Sequence, residues 1–195
     1  MSQLTPLAVS ALALLVEAPM HPYEMYQLML QRREDRVVKV NAGSLYRAVE
    51  RLARDGLIVE SATEREGNRP ERTVYAVTEA GRLAFLDTVE EMLARHVNEF
   101  PEFPLAIGEA HNLPADRVVE LLRTRADEVA SAIALLDDGL ARIAAKHLPK
   151  RYVLNVHYSR AMLATELDWL TRTIDDLTTG ALDWSSPRGA NRTAH

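Results

Sequence analysis

The apolar residues at the start of the chain recur with the period of α-helices. Thr5-Pro6 pairs a capping hydroxyl with a proline suited to the first helical position, and it precedes an apolar run that ends near Glu17. Pro22 opens a second segment with helical spacing. Asn41 is a strong N-cap for a third helix, from Ala42 to about Asp55. The pattern therefore predicts three helices before Gly56.

Beyond Gly56, which is placed as a C-cap glycine, the period changes to that of β-strands. Residues 57–63 and 73–77 are strand-like, and residues 66–70 favour a turn, so the pattern predicts one hairpin. Thr78 then caps a fourth helix that starts at Glu79. Three helices, a hairpin and a linking helix in about eighty residues are typical of a winged helix-turn-helix.

The rest of the chain is predicted to be helical, after a break at Pro101 and Pro104. Two long amphipathic stripes follow, over residues 115–147 and 151–177. They could pack as a hairpin on their own chain, or form an intermolecular helical bundle in a dimer. We favour the dimer. The expected interface residues are Leu121, Leu122, Val129, Ile133, Leu136, Leu163, Leu167 and Leu170.

The predicted fold is therefore mainly α with a small β-hairpin: a winged helix-turn-helix followed by an antiparallel helical dimerisation region. The expected domains are the winged helix-turn-helix over residues 1–84, a helical linker with a dimerisation region over residues 85–180, and a flexible tail over residues 181–195.

Composition narrows the class of protein. The chain has 195 residues and no cysteine, so disulfides and thiolate metal sites are excluded. The first apolar run lacks a basic leader and is too short to cross a bilayer, so we expect a cytoplasmic protein with no membrane partner. The net charge is −5, yet residues 32–54 hold seven basic and three acidic side chains, a local charge of +4. Binding to DNA phosphates depends on such a local basic face.

The third predicted helix has the two faces that a recognition helix needs. Leu45, Val49 and Leu52 share an apolar face, and Gly43 and Arg47 lie opposite. An arginine there could bind a guanine edge in a bidentate manner, and a glycine lets the backbone approach the groove. The simpler alternative is the solvated face of an ordinary amphipathic helix. The candidate DNA-binding residues are Lys39, Asn41, Gly43, Ser44, Tyr46, Arg47, Arg51, and, in the hairpin, Arg69 and Arg72.

Motifs for catalysis and for cofactors are missing from the sequence. The eight glycines are never closer than nine residues, so no Gly-x-Gly phosphate loop exists. There is no Gly-x-Ser-x-Gly elbow, and the six histidines show no i, i+4 pair that would bind zinc. We therefore expect neither an enzyme nor a bound cofactor or metal.

An ordered set of short motifs resembles the PadR family of bacterial regulators. Met20 to Glu24 reads Met-His-Pro-Tyr-Glu, Gly43 to Val49 reads Gly-Ser-Leu-Tyr-Arg-Ala-Val, and Gly-Leu-Ile follows at Gly56. Tyr75 to Gly81, with its Tyr-x-x-Thr-x-x-Gly spacing, completes the set, and the resemblance covers residues 4–82. The family often has proline where this chain has Arg47, which places a charged donor on the groove face.

The resemblance implies a homodimer joined through its C-terminal helices, binding to a double-stranded operator as a repressor, and release by a small, often aromatic, ligand. The operator would be nearly palindromic. Aromatic residues concentrated in the C-terminal region could line an effector pocket, and Tyr152, Tyr158 and Trp169 are the candidates. The competing interpretation is a winged-helix adaptor that binds other proteins and reads no DNA.

Overall fold

A computed structural model describes residues 4–64 and 72–184, without the side chains of residues 62–64. The chain divides into two compact units, Met1–Asn98 and Glu99–His195. The predicted domain boundary at residue 84 falls inside a helix of the first unit. The predicted hairpin tip, with Arg69, and most of the predicted tail lie outside the described residues.

The first unit is the predicted winged helix-turn-helix. Its helices and strands are α1 (Pro6–Glu17), α2 (Pro22–Gln31), α3 (Ala42–Arg54), β1 (Ile58–Glu64), β2 (Arg72–Val77) and α4 (Glu79–Ala94), with a short 3₁₀ turn at Glu34–Arg36. The two strands are antiparallel, with Ile58 opposite Val77, and a bulge lies between Glu60 and Ala62.

The predicted caps set the ends of these helices. The side-chain oxygen of Asn41 accepts the N–H of Ser44 at 2.8 Å at the start of α3. At the start of α4, the Thr78 hydroxyl accepts the N–H of Gly81 at 3.0 Å and donates to the carbonyl of Leu57. Gly56 has φ of 73°, the left-handed conformation expected just beyond a helix. Local hydrogen bonds thus set the ends of α3 and α4 at the residues that the sequence predicts.

The core of the first unit forms around α1, in which six leucine and alanine residues are buried. Leu12, Met25, Met29 and Leu45 are fully buried, so α1, α2 and α3 meet there. The N–H and the carbonyl of Met20 both bond to Tyr75 of β2, each at 3.1 Å. The segment that leads into α2 is therefore fixed to the hairpin as well as to the helices.

The second unit contains α5 (Glu102–Glu109), α6 (Ala115–Ala145) and α7 (Leu154–Thr179). The α5 helix replaces the predicted break at Pro101 and Pro104. Pro101 is the N-cap residue of α5, and Pro104 falls in its first turn, where a helix needs no N–H donor. These prolines start a helix here.

The two long stripes pack against each other within one chain, and the dimer interface predicted on them stays a prediction. Leu122, Val129, Leu136 and Leu170 are buried, because α6 and α7 cover one another's apolar faces. Ile133, Leu163 and Leu167 are partly buried against the same core. Of the eight predicted interface residues, Leu121 has an exposed side chain, at 42%, and the other seven are buried or partly buried. This packing of α6 on α7 is what the alternative of a helical hairpin within one chain predicts.

Within the part of the chain that the structure describes, none of the helices combines the length and the apolar character required to span a lipid bilayer.

Candidate nucleic-acid interface

The α3 helix presents one apolar face to the core and a polar face to solvent. Leu45, Val49 and Leu52 are at most 2% exposed. Gly43 and Arg47, on the opposite side, are both exposed. The side chains that a DNA groove would meet are therefore held on a helix whose rotation is fixed by its buried leucines and valine.

The first turn of α3 holds Arg47 in a defined position. Its Nη2 donates to the Ser44 hydroxyl at 3.0 Å, and its Nη1 lies 3.6 Å from the place where a Cβ on Gly43 would be. The guanidinium therefore lies back over the N-terminal turn. The Asn41 side chain serves as the cap of this turn, so the structure gives that residue a structural use beside its predicted role.

Tyr46 and Arg72 contact two residues at the start of α2 that were not among the predicted DNA-binding residues: His21, the N-cap residue, and Tyr23. The His21 ring meets the Tyr46 ring edge-on, with centroids 6.2 Å apart. The Arg72 guanidinium lies 6.0 Å from the centroid of the Tyr23 ring. We call His21, Tyr23, Tyr46 and Arg72 the His21 cluster. Its sequence signal was His21-Pro22, an N-cap acceptor before a proline at the first helical position.

The other predicted DNA-binding residues are less closely grouped. Lys39 is exposed in the segment before α3. Arg51, one turn beyond Arg47, lies with its Nε 3.8 Å from the Asp55 carboxylate. It lines a cavity of about 550 Å³ between the start of α1, the end of α3 and the middle and C-terminal half of α4. Arg51 is therefore placed toward the body of the first unit.

Comparison with known families agrees with this geometry. The family model described as the transcriptional regulator PadR-like family matches residues 11–87. Residues 11–87 form a PadR-like domain. The match runs from α1 through the hairpin into α4, and it describes a family of transcriptional regulators rather than of enzymes. A search of curated protein sequences found no match.

Solved structures similar to the chain extend beyond the PadR-like domain. PadR from Bacillus subtilis in complex with operator DNA is 17% identical, with a TM-score of 0.73 over 88% of this chain and 97% of that one. The same protein with p-coumaric acid is 16% identical, with a TM-score of 0.72 over 88% and 98%. A PadR-like regulator from Bacillus cereus is 13% identical, with a TM-score of 0.64 over 89% and 99%. The fold of both units is thus shared.

The candidate effector residues lie outside the PadR-like domain and do not form one cluster. Tyr152 and Tyr158 are 62% and 68% exposed. Trp169 lies eleven residues beyond Tyr158 on α7, about 16 Å along the helix axis. Its ring meets Phe103 edge-on with centroids 6.0 Å apart, and the Arg125 guanidinium lies 3.7 Å from the centroid of Phe103. Trp169 thus packs against an aromatic ring from another helix, whereas the ring of Tyr152 meets the guanidinium of its chain neighbour Arg151 at 4.8 Å.

Residues 4–64 and 72–184 contain no group of three or more histidine, aspartate or glutamate side chains placed to hold a metal ion.

Proposed function

We propose that the chain is a transcriptional regulator that binds double-stranded operator DNA through α3. The observation that carries the proposal is the placement of Gly43, Ser44 and Arg47. All three lie in the first two turns of α3, and the apolar back of the helix is locked into the core. A recognition helix contacts base edges with its N-terminal residues, and this end of α3 is open to solvent.

The roles of the side chains follow from their reach and charge. Arg47 is the base-reading residue, because its guanidinium can donate two hydrogen bonds to one guanine. Ser44, Tyr46, Lys39 and Arg72 bind phosphates and fix the register of the helix on the duplex. Bacillus subtilis PadR, which has the same fold, was solved in complex with operator DNA, and this supports DNA binding by the present chain.

The regulator acts as a homodimer on a nearly palindromic site. Two recognition helices in one dimer would meet successive major grooves about 34 Å apart. The interface belongs on an outer stripe of α7, since the inner stripe is already covered. Leu154, Tyr158 and Met162 follow one another at four-residue spacing and are 57%, 68% and 54% exposed. A stripe of large apolar side chains in solvent is typical of a surface that a partner covers.

The regulator represses its genes in the cytoplasm, and a small aromatic ligand releases it from the operator. The relative solved with p-coumaric acid supports a ligand of this class. Trp169 is the residue suited to report its binding, because an aromatic molecule near Phe103 and Arg125 would change the surroundings of the indole. Quenching of tryptophan fluorescence by phenolic acids, followed by loss of the DNA complex, is the expected sequence of events.

The function is tested by titrating the protein against the DNA upstream of its own gene at several salt concentrations. A regulator that neutralises phosphates loses affinity steeply as salt rises, because bound counterions are released. Sequencing the DNA that co-purifies with the protein from its host would then give the operator. No binding to any flanking DNA, or an affinity that does not change with salt, would favour the protein-interaction adaptor instead.

A further inference from the structure

We infer that His21 is an additional DNA-binding residue, which donates a hydrogen bond from its Nε2–H to a phosphate oxygen as a neutral imidazole. This assignment rests on the proposed function and deepens it. Neither His21 nor its neighbour Tyr23 belongs to the apolar core or to the polar face of α3.

The hydrogen bonds at the start of α2 fix the tautomer of His21. Its Nδ1 accepts the backbone N–H of Tyr23 at 3.0 Å. The backbone N–H of His21 donates to a carboxylate oxygen of Glu24 at 3.1 Å. A ring nitrogen that accepts carries no proton, so in the neutral ring the proton sits on Nε2. The capping box thus turns the far edge of the imidazole into a hydrogen-bond donor of fixed direction.

The surroundings of His21 keep the ring neutral. Burial lowers the pKa of the imidazole, and the positive charge of Arg72 lowers it further, against the opposing effect of Glu24. Protonation would also place a hydrogen on Nδ1, facing the Tyr23 N–H that this nitrogen accepts. A neutral donor is therefore the form that the folded protein favours.

The Nε2 donor is open and unused. Nε2 makes no hydrogen bond to any residue that the structure describes. Among the same residues, every buried side-chain nitrogen or oxygen has a hydrogen-bond partner. His21 is only partly buried, so its unpartnered Nε2 must reach solvent. The ring stands edge-on to Tyr46 of α3, and Arg72 lies over Tyr23 beside it.

The His21 cluster therefore contains three donors of different kinds: the Arg72 guanidinium, the phenol of Tyr46 and the imidazole of His21. The Met20–Tyr75 backbone pair fixes the segment before α2 to β2, so the three are held on a common frame. A phosphodiester oxygen is a ligand that accepts from all three, and a DNA backbone running past the start of α3 presents such oxygens in series.

The decisive variant is His21→Ser. Serine supplies a capping oxygen for α2, but its side chain is too short to reach the place of Nε2. Operator affinity should fall about tenfold, as expected for one hydrogen bond to a charged acceptor. The salt slope should stay unchanged, because a neutral donor releases no counterion, whereas Arg72→Ala should reduce the slope by about one. His96→Ser, which removes an exposed imidazole after α4, is the matched control and should bind as the wild type does.

The phosphate itself is identified with operators that carry a single neutral methylphosphonate at each backbone position in turn. When the methylphosphonate replaces the phosphate that His21 contacts, at one position per half-site, the wild type and His21→Ser should bind equally well. Equal affinity of the two proteins for the unmodified operator, with unchanged thermal unfolding, would show that His21 only caps α2. A reduced salt slope for His21→Ser would show a cationic contact and overturn the neutral donor. If the wild type binds no DNA at all, the proposed function fails first, and this assignment fails with it.

Discussion

Replacing Gly43 with alanine should separate folding from DNA binding. A Cβ at this position would lie 3.6 Å from Nη1 of Arg47 and 3.8 Å from the side-chain oxygen of Asn41, which are ordinary van der Waals distances. Gly43 lies in the first turn of α3 and is not among the residues with positive φ. The free protein therefore has no steric need for glycine here, and only a close approach of DNA would require it.

Gly43→Ala should stabilise the free protein but weaken its binding to the operator. In the free protein, alanine restricts the unfolded chain and favours the helix, so Gly43→Ala should stabilise the fold by up to about 1 kcal/mol. That would raise the melting temperature by a few degrees, roughly 4–8 °C per kcal/mol in a unit of this size. On the operator, a methyl about 1.5 Å from Cα enters a packed interface. Overpacking of about 1–3 kcal/mol would weaken binding roughly 5- to 150-fold.

Gly81→Ala is the matched control, because there the same substitution should destabilise the free protein instead of stabilising it. A Cβ on Gly81 would lie 1.9 Å from the carbonyl oxygen of Leu57, so the start of α4 must shift away from the hairpin. Thermal unfolding followed by circular dichroism should show Gly81→Ala destabilised by about 1–3 kcal/mol or more. Fluorescence anisotropy with labelled operator should show the loss of affinity for Gly43→Ala. Wild-type affinity of Gly43→Ala would refute the close approach of the α3 backbone to DNA.

Three further predictions concern the interface, the dimer and pH. Arg47→Ala should cost about 1–3 kcal/mol of binding free energy and relax the preference for one base pair per half-site. Arg72→Ala should instead weaken binding to all sequences alike, and titrations against one-base operator variants would distinguish the two outcomes. Met162→Glu should convert the dimer to a monomer in analytical ultracentrifugation, whereas Thr171→Glu, exposed on another side of α7, should leave it intact; a dimeric Met162→Glu protein would move the interface elsewhere. Folding lowers the pKa of His21, so the unfolded chain binds the proton more tightly and the free energy of unfolding should fall as the pH drops below about 6.5. Urea titrations should show this fall in the wild type and its absence in His21→Ser.

The winged helix-turn-helix could be predicted because its signals are local. A capping side chain and a C-cap glycine act within four residues, so Asn41, Gly56 and Thr78 carry the same meaning in the sequence and in the fold. The burial of one face of α3 also follows from its period alone. The positions of Gly43 and Arg47 in the candidate site could therefore be predicted before any tertiary contact was known.

The helical second unit shows what a periodic pattern leaves open. An apolar stripe indicates that one face of a helix is covered, but it does not indicate by which chain. The stripes of α6 and α7 cover each other, with Arg125 of α6 paired to Glu166 of α7 at 2.6 Å. The prolines before α5 were equally ambiguous, since Pro104 is a breaker inside a helix and harmless in its first turn.

The His21 cluster could not be predicted for a related reason. Its four residues come from α2 and its N-cap, from α3 and from β2, and no spacing in the sequence brings Arg72 to Tyr23 or His21 to Tyr46. The backbone pairing of Met20 with Tyr75, 55 positions apart, and the packing of α2 on α3 set these elements side by side. A site whose groups come from several elements depends on tertiary packing. The end of α3 that we propose to read bases is a local feature, whereas the proposed phosphate contacts depend on how the elements of the first unit pack.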